Sequence, residues 1–240
     1  MDLVYPSPLW TIESLSAAAA RALLAAALAH KRSGAATLPL RGRHVALMCA
    51  APDSAPALLF GESAAALGAS LSVIQPQAAR VDDPWQGGAA ARMLGRLYDA
   101  ICCDAGNAGA LARLARESAV PVLTLPAGAR HPTTLLADLM TMQEAAPLPL
   151  ESLRLCLVDD ESSPIAAAWR HLSRVTGLQV CVCATRRARA EVDFVCDAAG
   201  PRCPDGRLAL LTTRREVWLA EAQMANHPYT MRALLAGTLH

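Results

Sequence analysis

The chain lacks an apolar run long enough to cross a membrane, an excess of charge of either sign, and any cysteine pair spaced for a structural metal. Its most apolar N-terminal stretch, Ala17 to Ala29, is interrupted by Arg21 and closed by His30, Lys31 and Arg32. That falls short of the roughly 18 apolar residues a span requires, and the stretch reads as a helix of a soluble protein. Asp2 and Pro6 stand in the first ten residues with no basic segment ahead of an apolar core. This argues against a secretory leader and makes the cytoplasm the expected compartment. With 22 Lys and Arg against 21 Asp and Glu, the net charge is +1. Such a balance offers no basic field for a phosphate backbone, so neither nucleic acid nor membrane is an expected partner.

Eight cysteines are present, and their placement argues against metal chemistry. Cys49, Cys156, Cys181, Cys183 and Cys196 lie in β-like apolar runs, where a thiol behaves as a small hydrophobe. Cys102-Cys103 and Cys181-x-Cys183 lack the C-x2-C spacing of a zinc site, and neighbouring strand residues point to opposite faces. No metal and no cofactor are expected.

What the sequence does hold is a core: 53% of its 240 residues are hydrophobic and 18% are charged. Helical and strand patterns alternate in the manner of α/β folds with parallel sheets flanked by helices. Helices are expected over 14–29, with Ser14 or Ser16 as cap, from Pro56 to about 67, and over 89–98, 108–118, 132–144 and 165–176. Strands are expected over 43–49, 70–74, 100–103, 120–124, 154–158, 179–183, 193–196 and 208–212. A last helix is expected from Arg214, broken or kinked at Pro228. The prolines of 145–149 mark a hinge, giving a first domain over 1–147 and a second over 148–240, about 95 residues long and small for its class.

The run His131-Pro132-Thr133-Thr134-Leu135-Leu136-Ala137-Asp138 continues to Glu144 through Thr141. It resembles the H-P-x-Q-x-L-A-D-x-x-T-x-x-E signature of the aspartate/ornithine carbamoyltransferase family. Further segments agree in order. Residues 40–47 look like the family's L-x-G-K-x-x-A-L strand, 91–101 like its T-A-R-V-L-S/G-R-M-Y-D-x-I segment, and 114–122 like L-A-x-x-S-x-V-P-V. Asn226-His227-Pro228-Tyr229-Thr230 onward is similar to the N-R-M-H-T-I-K-A-V-M terminal helix of the ornithine enzymes, which in that family returns to the first domain. The resemblance implies a carbamoyltransferase-like fold in two domains with parallel sheets. The first would be the carbamoyl-phosphate-binding-like domain, and the second a truncated amino-acid-binding-like one. It also implies a homo-oligomer, a trimer.

Chemistry separates the chain from that family. Carbamoyl phosphate carries about two negative charges, and its binder must replace the lost water with helix N-terminal amides and cationic forks. The family uses an S-T-R-T-R loop; the matching stretch here is Pro52-Asp53-Ser54-Ala55-Pro56, with no arginine, an added carboxylate and a proline that removes an amide donor. A second family arginine is matched by Asp104. A reversal of that kind changes the interaction with a phosphate by several kcal/mol. Thr134 replaces the signature glutamine, Val81 to Gln86 offers no lysine for the family's inter-subunit loop, and Asp160 to Pro164 replaces the D-x-x-N-N turn. No S-M-G or H-C-L-P loop is found.

The candidate site set is therefore His131 as the catalytic residue, polarising an acyl oxygen, with Ser54, Arg130 and Thr134 as substrate-binding residues. Arg41 and Arg43 are the other cations available near Ser54. Each position also has a structural reading. His131-Pro132 caps and starts a helix, and the missing partners favour that role. Arg92 and Arg96 are solvated or paired with Asp99, Asp53-Ser54 is a helix cap, and Asp159-Asp160-Glu161 is a solvated loop. The favoured function is a catalytically impaired family paralogue acting as an oligomeric scaffold or regulator, beside an active carbamoyltransferase. The alternative is a transferase of altered specificity that uses His131. A sensor binding a small molecule between the domains is a third class.

Overall fold

The computed structural model describes residues 12–33, 38–76, 87–104, 108–146, 148–184 and 192–239. In chain order the first elements are α1 (Ala17–Ser33), β1 (His44–Met48), α2 (Ala55–Ala66), β2 (Ser70–Ile74), α3 (Gly87–Leu97), β3 (Ala100–Cys103), α4 (Ala108–Ser118) and β4 (Val122–Thr124). They are followed by α5 (Pro132–Ala145), β5 (Arg154–Val158), α6 (Pro164–Thr176), β6 (Gln179–Cys183), β7 (Phe194–Asp197), β8 (Leu210–Thr212), β9 (Val217–Trp218) and α7 (Ala220–Leu239). The chain forms two compact units, one from the described residues of 33–126 with 231–239, the other from those of 11–32 and 127–230.

The first unit is built on a four-stranded parallel sheet in the order β2-β1-β3-β4. The central strands β1 and β3 are buried along nearly their whole length, which is why both read as continuous apolar runs, while β2 is a partly exposed edge carrying Ser70 and Ser72. Burial of β3 covers both Cys102 and Cys103, and burial pushes the Cys102 thiol well up. At the amino end of the sheet, the Asp99 carboxylate accepts from Arg43 Nη1 at 2.9 Å and from the His44 amide at 2.8 Å. Asp99 is therefore paired with Arg43 rather than with Arg92 or Arg96, and Arg92 instead reaches Glu117 at 2.8 Å. Val81 to Gln86, where the family's lysine loop was sought, lies outside the described residues.

The second unit has a five-stranded sheet in the order β6-β5-β7-β8-β9. Its core β6-β5-β7 is parallel, and β8 and β9 extend it antiparallel. The cause of the reversal is local. Residues 198–209 join β7 to β8 without a helix, and a parallel return usually runs through one. Ser163 caps α6 through its Oγ, 3.0 Å from the Ala166 amide, and Gly177 ends that helix at φ +81°. The neighbouring carboxylates serve the cap: Ser163 Oγ donates to Asp159, and the Ser162 amide to Asp160 at 2.7 Å. Of the cysteines read as buried hydrophobes, Cys181 is exposed because β6 is an edge strand.

Two expectations fail at the C-terminus. Residues 213–216 form a turn that passes through Glu216 at φ +51° into β9, so the last helix starts at Ala220 and not at Arg214. That helix then runs unbroken through Pro228. Buried side chains on both sides, His227 and Thr230 before and after it and Met231, Leu234 and Leu235 beyond, hold the helix across the missing amide.

Gly95 supplies the test of packing in the first unit. In a helix interior alanine is ordinarily better than glycine by about 1 kcal/mol. Here a Cβ at Gly95 would lie 1.9 Å from the Ser118 carbonyl oxygen at the end of α4, too close for any side chain. Gly95→Ala is expected to lower unfolding stability by about 2 kcal/mol or more, measured by denaturant titration; stabilisation would show that α3 and α4 do not approach so closely.

Candidate active site

Every residue of α5 from Pro132 to Met142 is buried, so this helix is enclosed on all sides. An enclosed helix that carries Thr133, Thr134, Asp138 and Thr141 must find a partner for each polar group. These positions fall on one face by their three- and four-residue spacing. The opposing groups come from α7, at Gln223, Asn226, His227 and Thr230.

His131 is the N-cap of α5 and Pro132 its first residue. The ring Nδ1 accepts from the Thr133 amide at 3.3 Å and lies 2.8 Å from Thr133 Oγ1. Thr133 Oγ1 also lies 3.0 Å from His227 Nε2, and Thr134 Oγ1 lies 3.4 Å from the same atom. His131 and Thr134 thus meet around His227 and Thr133. Arg130 is exposed, in the turn before the cap. Ser54 belongs to the first unit.

Behind His227 sits a buried ion cluster centred on Arg207, which is 1% exposed. Its Nε lies 2.8 Å from Asp205 Oδ2, and its Nη2 contacts the same oxygen. Nη1 lies 3.4 Å from Asp138 Oδ1 and 3.5 Å from the Gln223 carbonyl, while Nη2 lies 2.5 Å from His227 Nδ1. Gln223 completes the set: its Nε2 donates to Asp138 Oδ1 at 2.8 Å and its Oε1 accepts from the Leu210 amide at 2.9 Å. Beside this cluster, Lys31 Nζ bonds Glu144 at 2.7 Å and Asn226 Oδ1 at 2.8 Å.

Burial dominates the ionisation of these groups. It raises Asp138 to about 6 even though Arg207 and Gln223 both favour its carboxylate, and it lowers His227 to about 4, helped by the Arg207 charge. Asp205 is half-buried; desolvation raises it, but its bonds to Arg207 and the nearby His227 ring outweigh this and hold it well below the usual carboxylate range. At neutral pH the cluster is therefore one guanidinium, two carboxylates of which Asp138 is easily protonated, and a neutral His227.

The remaining candidate residue, Ser54, follows the carboxyl end of β1 in the first unit. Ser54 is the N-cap residue of α2, yet its hydroxyl makes no cap bond and donates instead to the Ala51 carbonyl at 2.7 Å. The Ala50 amide donates to Asp104 Oδ2 at 3.3 Å. Burial raises the neighbouring Cys49 thiol, and Asp104 and Asp53 raise it further, a sign of a negative field at this strand end. Arg43 is held by Asp99 at the opposite end of β1, which at about 3.3 Å per residue is too distant to supply a cation. Among the described residues, no group of three or more His, Cys, Asp or Glu could hold a metal ion.

Asp138, Asp205, Arg207, Gln223 and His227 were not among the residues singled out for a role. One signal was present: Asp138 stands in the apolar run Leu135 to Met140, and a carboxyl buried there calls for a cation or hydrogen-bond donors beside it.

The pH dependence of this unit follows from two opposed groups. His227 binds its proton less readily folded than unfolded, so its contribution is intact above about 6.5 and is lost as pH falls towards 4. Asp138 is raised, so its penalty acts above about 6 and is relieved as pH falls towards 3.8. In His227→Gln only the second contribution remains. The wild type is expected to lose stability relative to His227→Gln between pH 6.5 and 4, by an amount on the order of 3 kcal/mol, read from paired denaturant titrations. Parallel curves would show that His227 is not buried neutral.

Comparison with known proteins agrees with this architecture. Residues 8–144 match the family described as aspartate/ornithine carbamoyltransferase, carbamoyl-P binding domain. The chain is 23% identical over 173 residues to the catabolic ornithine carbamoyltransferase of Rhizobium meliloti, covering 72% of this chain and 52% of that protein. It is 27% identical over 182 residues to that of Burkholderia mallei, covering 76% and 54%. The chain therefore spans about half the length of the curated relatives it matches. Two solved ornithine carbamoyltransferases share its fold. That of Thermus thermophilus has a TM-score of 0.70 and 17% identity over 94% of this chain and 96% of its own. That of Gloeobacter violaceus has a TM-score of 0.65 and 20% identity over 98% and 99%. With more than half of its length matched by the family description, the chain belongs to the aspartate/ornithine carbamoyltransferase family.

Proposed function

We propose that this chain is a divergent carbamoyltransferase-like protein that does not bind carbamoyl phosphate as its relatives do, and that acts by association. In this reading residues 1–147 form a carbamoyl-phosphate-binding-like domain and 148–240 a shortened amino-acid-binding-like one. The protein works in the cytoplasm as a homo-oligomer, a trimer by resemblance, and scaffolds or regulates an active carbamoyltransferase. One observation carries it: the Ala50 amide at the carboxyl end of β1 is taken by the Asp104 carboxylate. A dianion brought there would meet Asp104 and Asp53 and a helix start whose second residue, Pro56, has no amide to give.

A second reading is favoured by His131, which is held by Thr133 within a bonded buried network. A transferase of altered donor or acceptor specificity would use that ring on an acyl or carbamoyl oxygen, with Arg130 and Thr134 close in sequence as binding residues.

Calorimetry with carbamoyl phosphate separates the two. The first reading expects no heat and no change in melting temperature, with light scattering reporting an oligomer that His131→Ala leaves intact. Micromolar binding, or turnover with an amine acceptor that His131→Ala abolishes, would support the second and overturn the first. The electrostatic argument has its own check. Replacing Asp104→Arg together with Ala55→Arg is expected to create measurable carbamoyl phosphate binding in a folded protein. Absence of binding in both singles and the double would show that this loop does not have the family's geometry.

A further inference from the structure

The buried network contains one group whose hydrogen-bonding role has no alternative. A guanidinium carries five N–H donors, accepts nothing, and keeps its proton at any ordinary pH. Arg207 Nη2 lies 2.5 Å from His227 Nδ1, so that nitrogen must present a lone pair. The competing partner, Asp205 Oδ2, is 3.7 Å from the same nitrogen, beyond hydrogen-bond reach. With Nδ1 bare, the proton of neutral His227 resides on Nε2, which lies 3.0 Å from Thr133 Oγ1 and 3.4 Å from Thr134 Oγ1.

Thr133 now receives a donor at its oxygen, and its single hydroxyl proton is left to point elsewhere. The acceptor within reach is His131 Nδ1 at 2.8 Å. The Thr133 amide points at that same nitrogen from 3.3 Å. Both contacts call for a lone pair on Nδ1 of His131.

We infer that Arg207, His227 and Thr133 form a one-way hydrogen-bond chain that fixes His131 as the neutral tautomer protonated on Nε2. In that form the buried Nε2 of His131 is an N–H donor. It can bond or polarise an oxygen acceptor, a carbonyl or carboxylate, and it cannot take up a proton at that atom as a general base. Arg207, His227 and Thr133 are positioning residues here; none is required to touch a ligand. The consequence for an oxygen-bearing ligand rests on the second reading above, while the tautomer itself does not.

Long-range proton–nitrogen NMR on the full chain labelled with 15N-histidine reads the tautomer directly. At pH 7.5 both His131 and His227 are expected to show a pyridine-like Nδ1 and a pyrrole-like Nε2. A protonated Nδ1 on either ring, or averaged signals for His131, would overturn the inference. Thr133→Val keeps the branched side chain and the amide but removes the hydroxyl, and is expected to move the His131 nitrogens towards averaged values. Thr133→Ser is expected to restore them. His131 signals unchanged in Thr133→Val would show that the backbone amide alone holds the ring and would also overturn the chain. Should Thr133→Val fail to fold, the wild-type spectrum still decides. A null calorimetric result with carbamoyl phosphate leaves this measurement untouched, so failure of the function and failure of the tautomer are told apart.

Discussion

A guanidinium with almost no access to water is the constraint around which the second unit is arranged. Arg207 cannot neutralise itself by losing a proton, so each of its donors must meet an acceptor inside the protein. Asp205 comes from the same loop, Asp138 from the middle of α5, and His227 and the Gln223 carbonyl from α7. Removing one partner of such a buried pair leaves an uncompensated charge, a change typically worth about 3–5 kcal/mol. The loop 198–209 is therefore more than a short connection between antiparallel strands, because it carries the cation that α5 and α7 both need.

That requirement shapes the seam between the two helices. Thr133, Thr134, Asp138 and Thr141 on α5 face Gln223, Asn226, His227 and Thr230 on α7, and hydrogen bonds link the two rows from end to end. An apolar seam would tolerate a slip of one helix along the other at modest cost. A seam of directional bonds does not, because a slip strands several buried polar groups at once. Pro228 is accommodated within this frame: residues before and after it are bonded to α5, and the helix is held in place where its own ladder is interrupted.

The pattern of buried strands was legible in the sequence because parallel strands covered on both faces write continuous apolar runs, as β1, β3 and β5 do. Helix starts were legible where a cap residue precedes a proline, as with His131-Pro132. What escaped depends on partners distant in the chain. The antiparallel turn of β8 follows from a connection that forms no crossover helix, and the continuity of α7 across Pro228 follows from tertiary bonds that no local propensity contains. The ion cluster escaped for the same reason: Asp205 and Arg207 lie in a glycine- and proline-bearing loop that by composition reads as solvent-facing. The Ser54 hydroxyl was assigned to the helix cap by residue type, whereas the turn at Ala51 offers it a closer acceptor.

On the proposed reading, the two chemical features that the resemblance singles out have met different fates in this chain. A histidine at the start of an enclosed helix persists, its Nδ1 bonded to Thr133. At the end of the first strand, where the resemblance places a cationic cradle, the Asp104 carboxylate takes the Ala50 amide. Loss of arginine alone would weaken attraction to a dianion, and water or a neighbouring cation could in part stand in. Occupation of the amide by an anion goes further, since a phosphate would have to displace a covalently tethered carboxylate and then remain beside it. Two like charges a few ångströms apart repel with an energy on the order of 4 kcal/mol near a protein surface, comparable to a thousandfold change in affinity. On the proposed reading, the change at this strand end is a reversal of preference, and it acts on the donor whatever the state of His131.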